Sequence, residues 1–453
     1  MGAKGFTTTR RRLLKGTAAT AALATAGIFA PAIVGRAKQY DGVVLNGVST
    51  SSVYMRRVKE LVPEFEAKTG MTVNYEPLSF PIHNQRVDLE LSTQGSAYDF
   101  VNLTFIYSGR WIGAGWLTQL DDFINDPNLT DPNWDPGDFV EGAQKSLQDA
   151  DGNTYGFAHF AGAMLTAAGR YDLIEKAGLG MPKDFDELIA VCEAVHGKDG
   201  VAAWVSDRNH HWNSIPYLMG FGGEIFKDPP NNLTPLLDSP ENIEGAAFYG
   251  RLLRDYAPSG VLTFDNDVTL RTLVAGQANM RTGELAWELP MATAPESAVK
   301  DTVRFGLTPT GPAGWYPGNN SHGYAIPVGS QNKEAAWAFI QWALSKELME
   351  RIAREQGFAA LCRRSIISSD WFRESLQING DDVAGLYLEV LDRGGEEPYM
   401  RYRTVPVFPQ VGDKLNKAIE KIATNQQSAE EAMRQAQAEA VQQLKLMGIE
   451  LDI

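Results

Sequence analysis

Six histidines, two cysteines and 56 carboxylates are the side chains with which this chain could break bonds, and their spacing fits none of the common catalytic signatures. There is no G-x-S-x-G elbow to present a nucleophilic serine and no H-E-x-x-H pair to hold zinc. His210 and His211 are adjacent, and neighbours in regular structure point apart, so no metal site is expected. A glycosidase carboxylate dyad has no fixed spacing, which leaves a secreted glycoside hydrolase open as an alternative. What does recur is a cluster of small polar or aromatic residues where a strand-like run stops. Asn46, Gly47, Ser49 and Thr50 close the first such run, and Thr104, Phe105 and Tyr107 follow the run ending at Leu103. Open α/β sheets bind ligands at those carboxyl ends.

The elements that must position these residues alternate. Residues 42–46 predict a buried strand, 52–68 an amphipathic helix stopped by Thr69-Gly70, and 71–75 a period-two strand, which is a βαβ opening. Helices are expected at 83–94 and 107–115, with a strand at 98–103 between them. Residues 126–137 are rich in Pro, Asn and Asp and read as loop, and a new strand set begins near 153–158. Asp184 with Glu187, and Ser239 before Pro240, mark helix starts. A strand is expected at 323–328, then one long helix over 333–356 ended by Gly357, and a last helix capped by Ser428 with Glu431. Cys192 falls on the apolar stripe Phe185, Leu188, Ile189, Cys192, Val195, as a buried thiol would. A disulfide would require Cys362 to reach that helix.

The 453 residues suffice for two or three domains. The net charge of −15 is uneven: residues 1–37 hold six bases and no acid, leaving 35 bases against 56 acids beyond them, a net of −21. Such a body repels phosphate backbones, so nucleic-acid binding is not expected. The basic start, the uncharged stretch 16–35 and the small residues at 30–37 form the three-part layout of a secretory signal. Thr9-Arg10-Arg11-Arg12-Leu13-Leu14-Lys15 resembles the twin-arginine export motif, which implies cleavage near residues 32–37 and a periplasmic mature chain.

Several segments resemble, in order, the extracellular solute-binding proteins of ABC importers, in the sugar-binding group that includes maltose-binding protein. Residues 61–70 (LVPEFEAKTG), 113–122 (GAGWLTQLDD), 170–179 (RYDLIEKAGL), 219–224 (MGFGGE) and 332–340 (NKEAAWAFI) carry the resemblance. It implies an α/β, two-lobed periplasmic-binding-protein fold with a multi-crossing hinge. The first lobe would comprise residues 38–156 plus 309–352, and the second 157–308 plus 353–453. It also implies a monomer that captures a small carbohydrate-like solute in the cleft and hands it to a membrane permease with its ATPase. Neither catalysis, a cofactor nor a metal is implied.

A sugar-type ligand offers apolar faces and a belt of hydroxyls, so stacking aromatics beside amide, charged or imidazole groups are the expected partners. The family pattern adds His159 and Phe160 at the opening of the second lobe, Trp212, Glu284 with Trp287, and His322 with Tyr324 to the set Asn46, Ser49, Thr104, Phe105 and Tyr107. Many members place a carboxylate soon after the position of His159, whereas here none occurs before Asp172. Arg170 could anchor an anionic ligand, but the family also has a basic residue in this segment, so a solvent-exposed or salt-bridged role is expected. A ferric-ion site would use adjacent tyrosines, which are lacking, and a polyamine site would need more carboxylates than the single Glu284 of this set.

Overall fold

The computed structural model describes residues 40–396, 402 and 405–452. The twin-arginine motif and the whole expected signal lie outside the described residues. Among those described, no helix is long and apolar enough to cross a membrane.

The chain builds an eight-stranded mixed sheet. Its strands are β1 (Val44–Thr50), β2 (Thr72–Leu78), β3 (Phe100–Thr104), β4 (Gly156–Ala168), β5 (Ala202–Trp204), β8 (Ala278–Glu284), β9 (Arg304–Gly306) and β10 (Asn319–Ala325). β6 (Phe226–Asp228) and β7 (Asn232–Pro235) form a separate hairpin. The order is β2-β1-β3-β10-β4-β8-β5, with β9 also on β4. β1 is parallel to β2 and β3, as the βαβ opening predicts, and β5 is parallel to β8. β10 runs antiparallel between β3 and β4 and joins the two parallel sets.

β4 is the long member, with 13 residues. Its first half pairs with β10 and its second half with β8 and β9. The buried apolar side chains separate into two clusters along it. One draws on residues 40–167, Leu273 and 285–391, the other on 168–261, 278–280 and 402–444. The packing of 157–167, 285–308 and 353–391 therefore differs from the lobe expected for these segments. Tyr387 donates its hydroxyl to the carbonyls of Ala161 and Leu361, and Arg363 pairs with Asp138, which holds the last of these segments on the first cluster.

Local signals account for several helix ends. Ser52, Asp184, Ser239 and Asp265 each accept an N-cap hydrogen bond. Ser428 and Glu431 form the reciprocal capping box. The expected long helix is instead two, Lys333–Ala343 and Lys346–Gln356, because Ser345 caps the second through the Leu348 N–H. Gly357 ends it at φ 63°. Cys192 and Cys362 are both buried free thiols in different clusters, and burial raises both pKa values. Arg170 is paired with Asp172 at 2.8 Å.

Candidate functional site

Where the two clusters meet, the strand ends enclose a cavity of about 340 Å3. From the first cluster's side come Thr50 and Ser51 at the end of β1, Phe80, Phe105 after β3, and His159 and Phe160 on β4. The opposite wall holds Asp207 and Asn209 after β5, Trp212, Asn266, and the β8 end with Arg281, Gly283 and Glu284; Trp287 lies on the helix that follows β8, a helix packed on the first cluster. Asn319, Asn320 and His322 of β10 complete it.

A bulge in β4 shapes the first wall. His322 pairs with Phe160 and Gly323 with Ala158, so His159 is the extra residue. Regular alternation would send His159 and Phe160 to opposite faces; the bulge allows both to line the cavity. His159 Nε2 lies 2.6 Å from Asn102 Oδ1, which also accepts from the Thr50 hydroxyl. Nε2 is thus the donor, and Nδ1, which has no partner, is a bare acceptor. His322 is surrounded by the rings of Phe80, Phe105 and Phe160 at 5.3–5.8 Å. Burial, with a smaller contribution from His83, lowers its pKa to about 3, and burial lowers His159 well below the usual value. Both imidazoles are neutral at neutral pH.

The opposite wall is acidic. Glu284 accepts from Asn320 Nδ2 and, at 3.0 Å, from the Trp287 indole N–H. Room for that contact exists because position 162 is glycine: a Cβ there would lie 2.4 Å from Asn320 Oδ1. Asp207 accepts from the Asn209 N–H at 2.8 Å. Arg281 Nη2 donates to Asn266 Oδ1 at 3.1 Å and lies 3.7 Å from Asp207. Behind it Glu288, fully buried, places Oε1 2.9 Å from Arg281 Nε. Burial pushes the Glu288 carboxyl up to about 8; Arg281 pulls it down, while Glu284 and Asp207 push it further up. Phe105 and Trp212 meet edge to face at 5.0 Å, one from each wall. Such a wall can stack on an apolar face and take hydroxyl protons on carboxylates and imidazole. Among the described residues no group of side chains could hold a metal ion.

The structure brings together Phe105, His159, Phe160, Trp212, Glu284, Trp287 and His322. Five expected residues are elsewhere. β1 runs on to Thr50, which leaves Asn46 in mid-strand, where its side chain accepts from Asn74. Ser49 is buried and accepts from the Tyr75 hydroxyl. Thr104 is buried on Asn84. Tyr107 stacks on Trp111 beside a separate groove with Asp88 and Leu89. Tyr324 lies one step deeper in the sheet, 5.3 Å from the His159 ring, with its hydroxyl on Tyr75 and Met55. Asp207, Asn209, Asn266, Arg281, Asn319 and Asn320 were missing from the expected set. The strand-end rule applied to β5 points to Asp207, but nothing local marks Asn266.

The sequence profile described as bacterial extracellular solute-binding protein matches residues 49–350. A mannitol-binding protein of Pseudomonas aeruginosa is 23% identical over 419 residues, which is 87% of this chain and 91% of that protein. An ABC transporter solute-binding protein of Agrobacterium radiobacter, solved with ribitol, superposes with a TM-score of 0.74 at 23% identity, covering 89% of this chain and 99% of its own. One from Agrobacterium vitis, solved with D-mannitol, gives 0.73 at 24%, covering 90% and 99%. The fold is the two-lobed, maltose-binding-protein-like fold, and the chain belongs to the bacterial extracellular solute-binding protein family.

Proposed function

We propose that this chain is the solute-capturing component of an ABC import system and that its ligand is a short, neutral carbohydrate-like molecule, a linear polyol or a single sugar. The observation that carries this reading is the cavity itself. At about 340 Å3 it stands at the small end of the usual range for ligand sites, too small for a long oligosaccharide. Five aromatic rings, Phe80, Phe105, Phe160, Trp212 and Trp287, share its wall with carboxylates, amides and neutral imidazoles. The polyols named for the similar proteins have the matching chemistry, a flexible carbon chain with a hydroxyl on every carbon. Glu284 and Asp207 outnumber Arg281, which disfavours an anionic sugar acid.

In this reading seven of the expected residues, Phe105, His159, Phe160, Trp212, Glu284, Trp287 and His322, contact ligand. The lobes are those of the two clusters, 40–167 with 285–391 and 168–284 with 402–452. Phe105 and Trp212 close on the ligand from opposite lobes, driven only by its extra contacts with the closed form. The chain is a monomer, exported by the twin-arginine route to the periplasm, and delivers its ligand to a permease with its ATPase; it performs no catalysis.

A thermal-shift screen of polyols, sugars, sugar acids and polyamines tests the assignment, since a ligand that binds only the folded state raises its stability. Stabilisation by polyamines and by no saccharide, polyol or sugar acid would refute it. Turnover of a sugar by the purified protein would favour the hydrolase instead.

A further inference from the structure

Arg281 is 3% exposed, and its Nη1 has no hydrogen-bond partner in the cavity wall. The rest of the guanidinium is flanked on two sides. Nη2 donates to Asn266 and is near Asp207, while Nε, which makes no hydrogen bond, lies 2.9 Å from Glu288 Oε1. Glu288 does not line the cavity and is 0% exposed, and neither of its oxygens has a hydrogen-bond partner. It reaches Arg281 only because position 283 has no side chain: a Cβ there would lie 1.9 Å from Glu288 Oε1 and 2.8 Å from Arg281 Nε. A long, rotamer-rich arginine next to two cavity carboxylates would otherwise be drawn towards them.

We propose that Glu288 is a positioning residue for ligand capture, holding Arg281 from behind the wall so that Nη1 is the fixed donor to an oxygen of the bound ligand. The other groups here, Glu284, Asp207 and His159 Nδ1, accept protons from ligand hydroxyls. A hydroxyl that gives its proton to one of them still has lone pairs to satisfy, and Arg281 Nη1 meets that need. The proposal rests on the polyol or sugar reading above.

The test is calorimetric titration of the full chain with D-mannitol, ribitol and glucose, for wild type, Glu288→Gln, Arg281→Lys and the double variant, with thermal unfolding of each ligand-free protein. At pH 9, where the Glu288 carboxyl is ionised in the folded chain, Glu288→Gln is expected to weaken binding about tenfold, and at pH 6, where both side chains are neutral, to leave it nearly unchanged. Arg281→Lys should weaken it at least as much, and the double variant no further than Arg281→Lys alone, because the effect of Glu288 passes through Arg281. At pH 9, wild-type affinity in Glu288→Gln, or losses that multiply in the double variant, overturns the proposal while leaving the ligand reading intact. Should Glu288→Gln fail to fold, Glu288→Met is judged by the same criteria. If wild type binds none of the three probes, the ligand reading fails and the proposal falls with it.

Discussion

Acidification should destabilise this protein well before most of its carboxylates protonate. Burial lowers His83 and His210 to about 4 and His322 to about 3. In the unfolded chain each returns to about 6.5. A base whose folded pKa is depressed contributes stability that is complete above the unfolded value and lost as pH falls towards the folded one. Between pH 7 and pH 5 each imidazole therefore loses about 2 kcal/mol, and the three together about 5 to 6 kcal/mol. Glu288 acts in the opposite sense: raised from 4.5 to about 8, its carboxyl is protonated in the folded chain over that interval. Its proton uptake returns about 2 to 3 kcal/mol, and His159, lowered by burial in the same sense as the three imidazoles, adds to the loss, so the wild-type loss should be at least about 3 kcal/mol. Urea unfolding followed by tryptophan fluorescence at the two pH values measures this. Glu288→Gln, lacking the opposing carboxyl, should lose at least about 5 kcal/mol, and His322→Asn should lose about 2 kcal/mol less than wild type. A Glu288→Gln chain equally stable at pH 5 and pH 7 would refute the assignment of neutral, buried imidazoles.

Gly283→Ala drives a Cβ into the Glu288 carboxylate and should cost about 1 to 3 kcal/mol, seen as a lower Tm, together with weaker ligand binding. Trp287, 47% exposed, should lose about tenfold in affinity on Trp287→Ala by calorimetry, while Tm of the ligand-free chain stays within a degree or two. Ser345→Ala removes the cap between the two helices it separates and should cost about 1 kcal/mol in urea unfolding. Cys192 and Cys362 should be silent to a thiol reagent in native buffer and both react in denaturant.

The alternation of strands and helices, the caps and the two-lobed family resemblance were legible because each depends on short-range pattern. The site was half legible for a related reason. Phe105 and His322 stand where strand-end and family patterns place ligand contacts, but Ser49, Thr104 and Tyr324 occupy similar sequence positions and are buried by neighbours far along the chain. Asn46 is not at a strand end: the apolar run stops there, but Gly47–Thr50 continue β1 against β2. Glu288 carries the opposite lesson: a carboxylate on an otherwise apolar helix turn reads as solvent-facing, and only Gly283 on a neighbouring strand makes its burial possible.

The place of β10 between β3 and β4 also bears on how the chain can be made. β3 and β4 are finished by residue 168, yet the strand that joins them is synthesised some 150 residues later. Until then each of them presents an unsatisfied ladder towards the gap, and pairing across it carries a high contact order, which slows folding. Fragments ending anywhere from 169 to 318 should consequently aggregate through those two open edges rather than persist as a free first lobe.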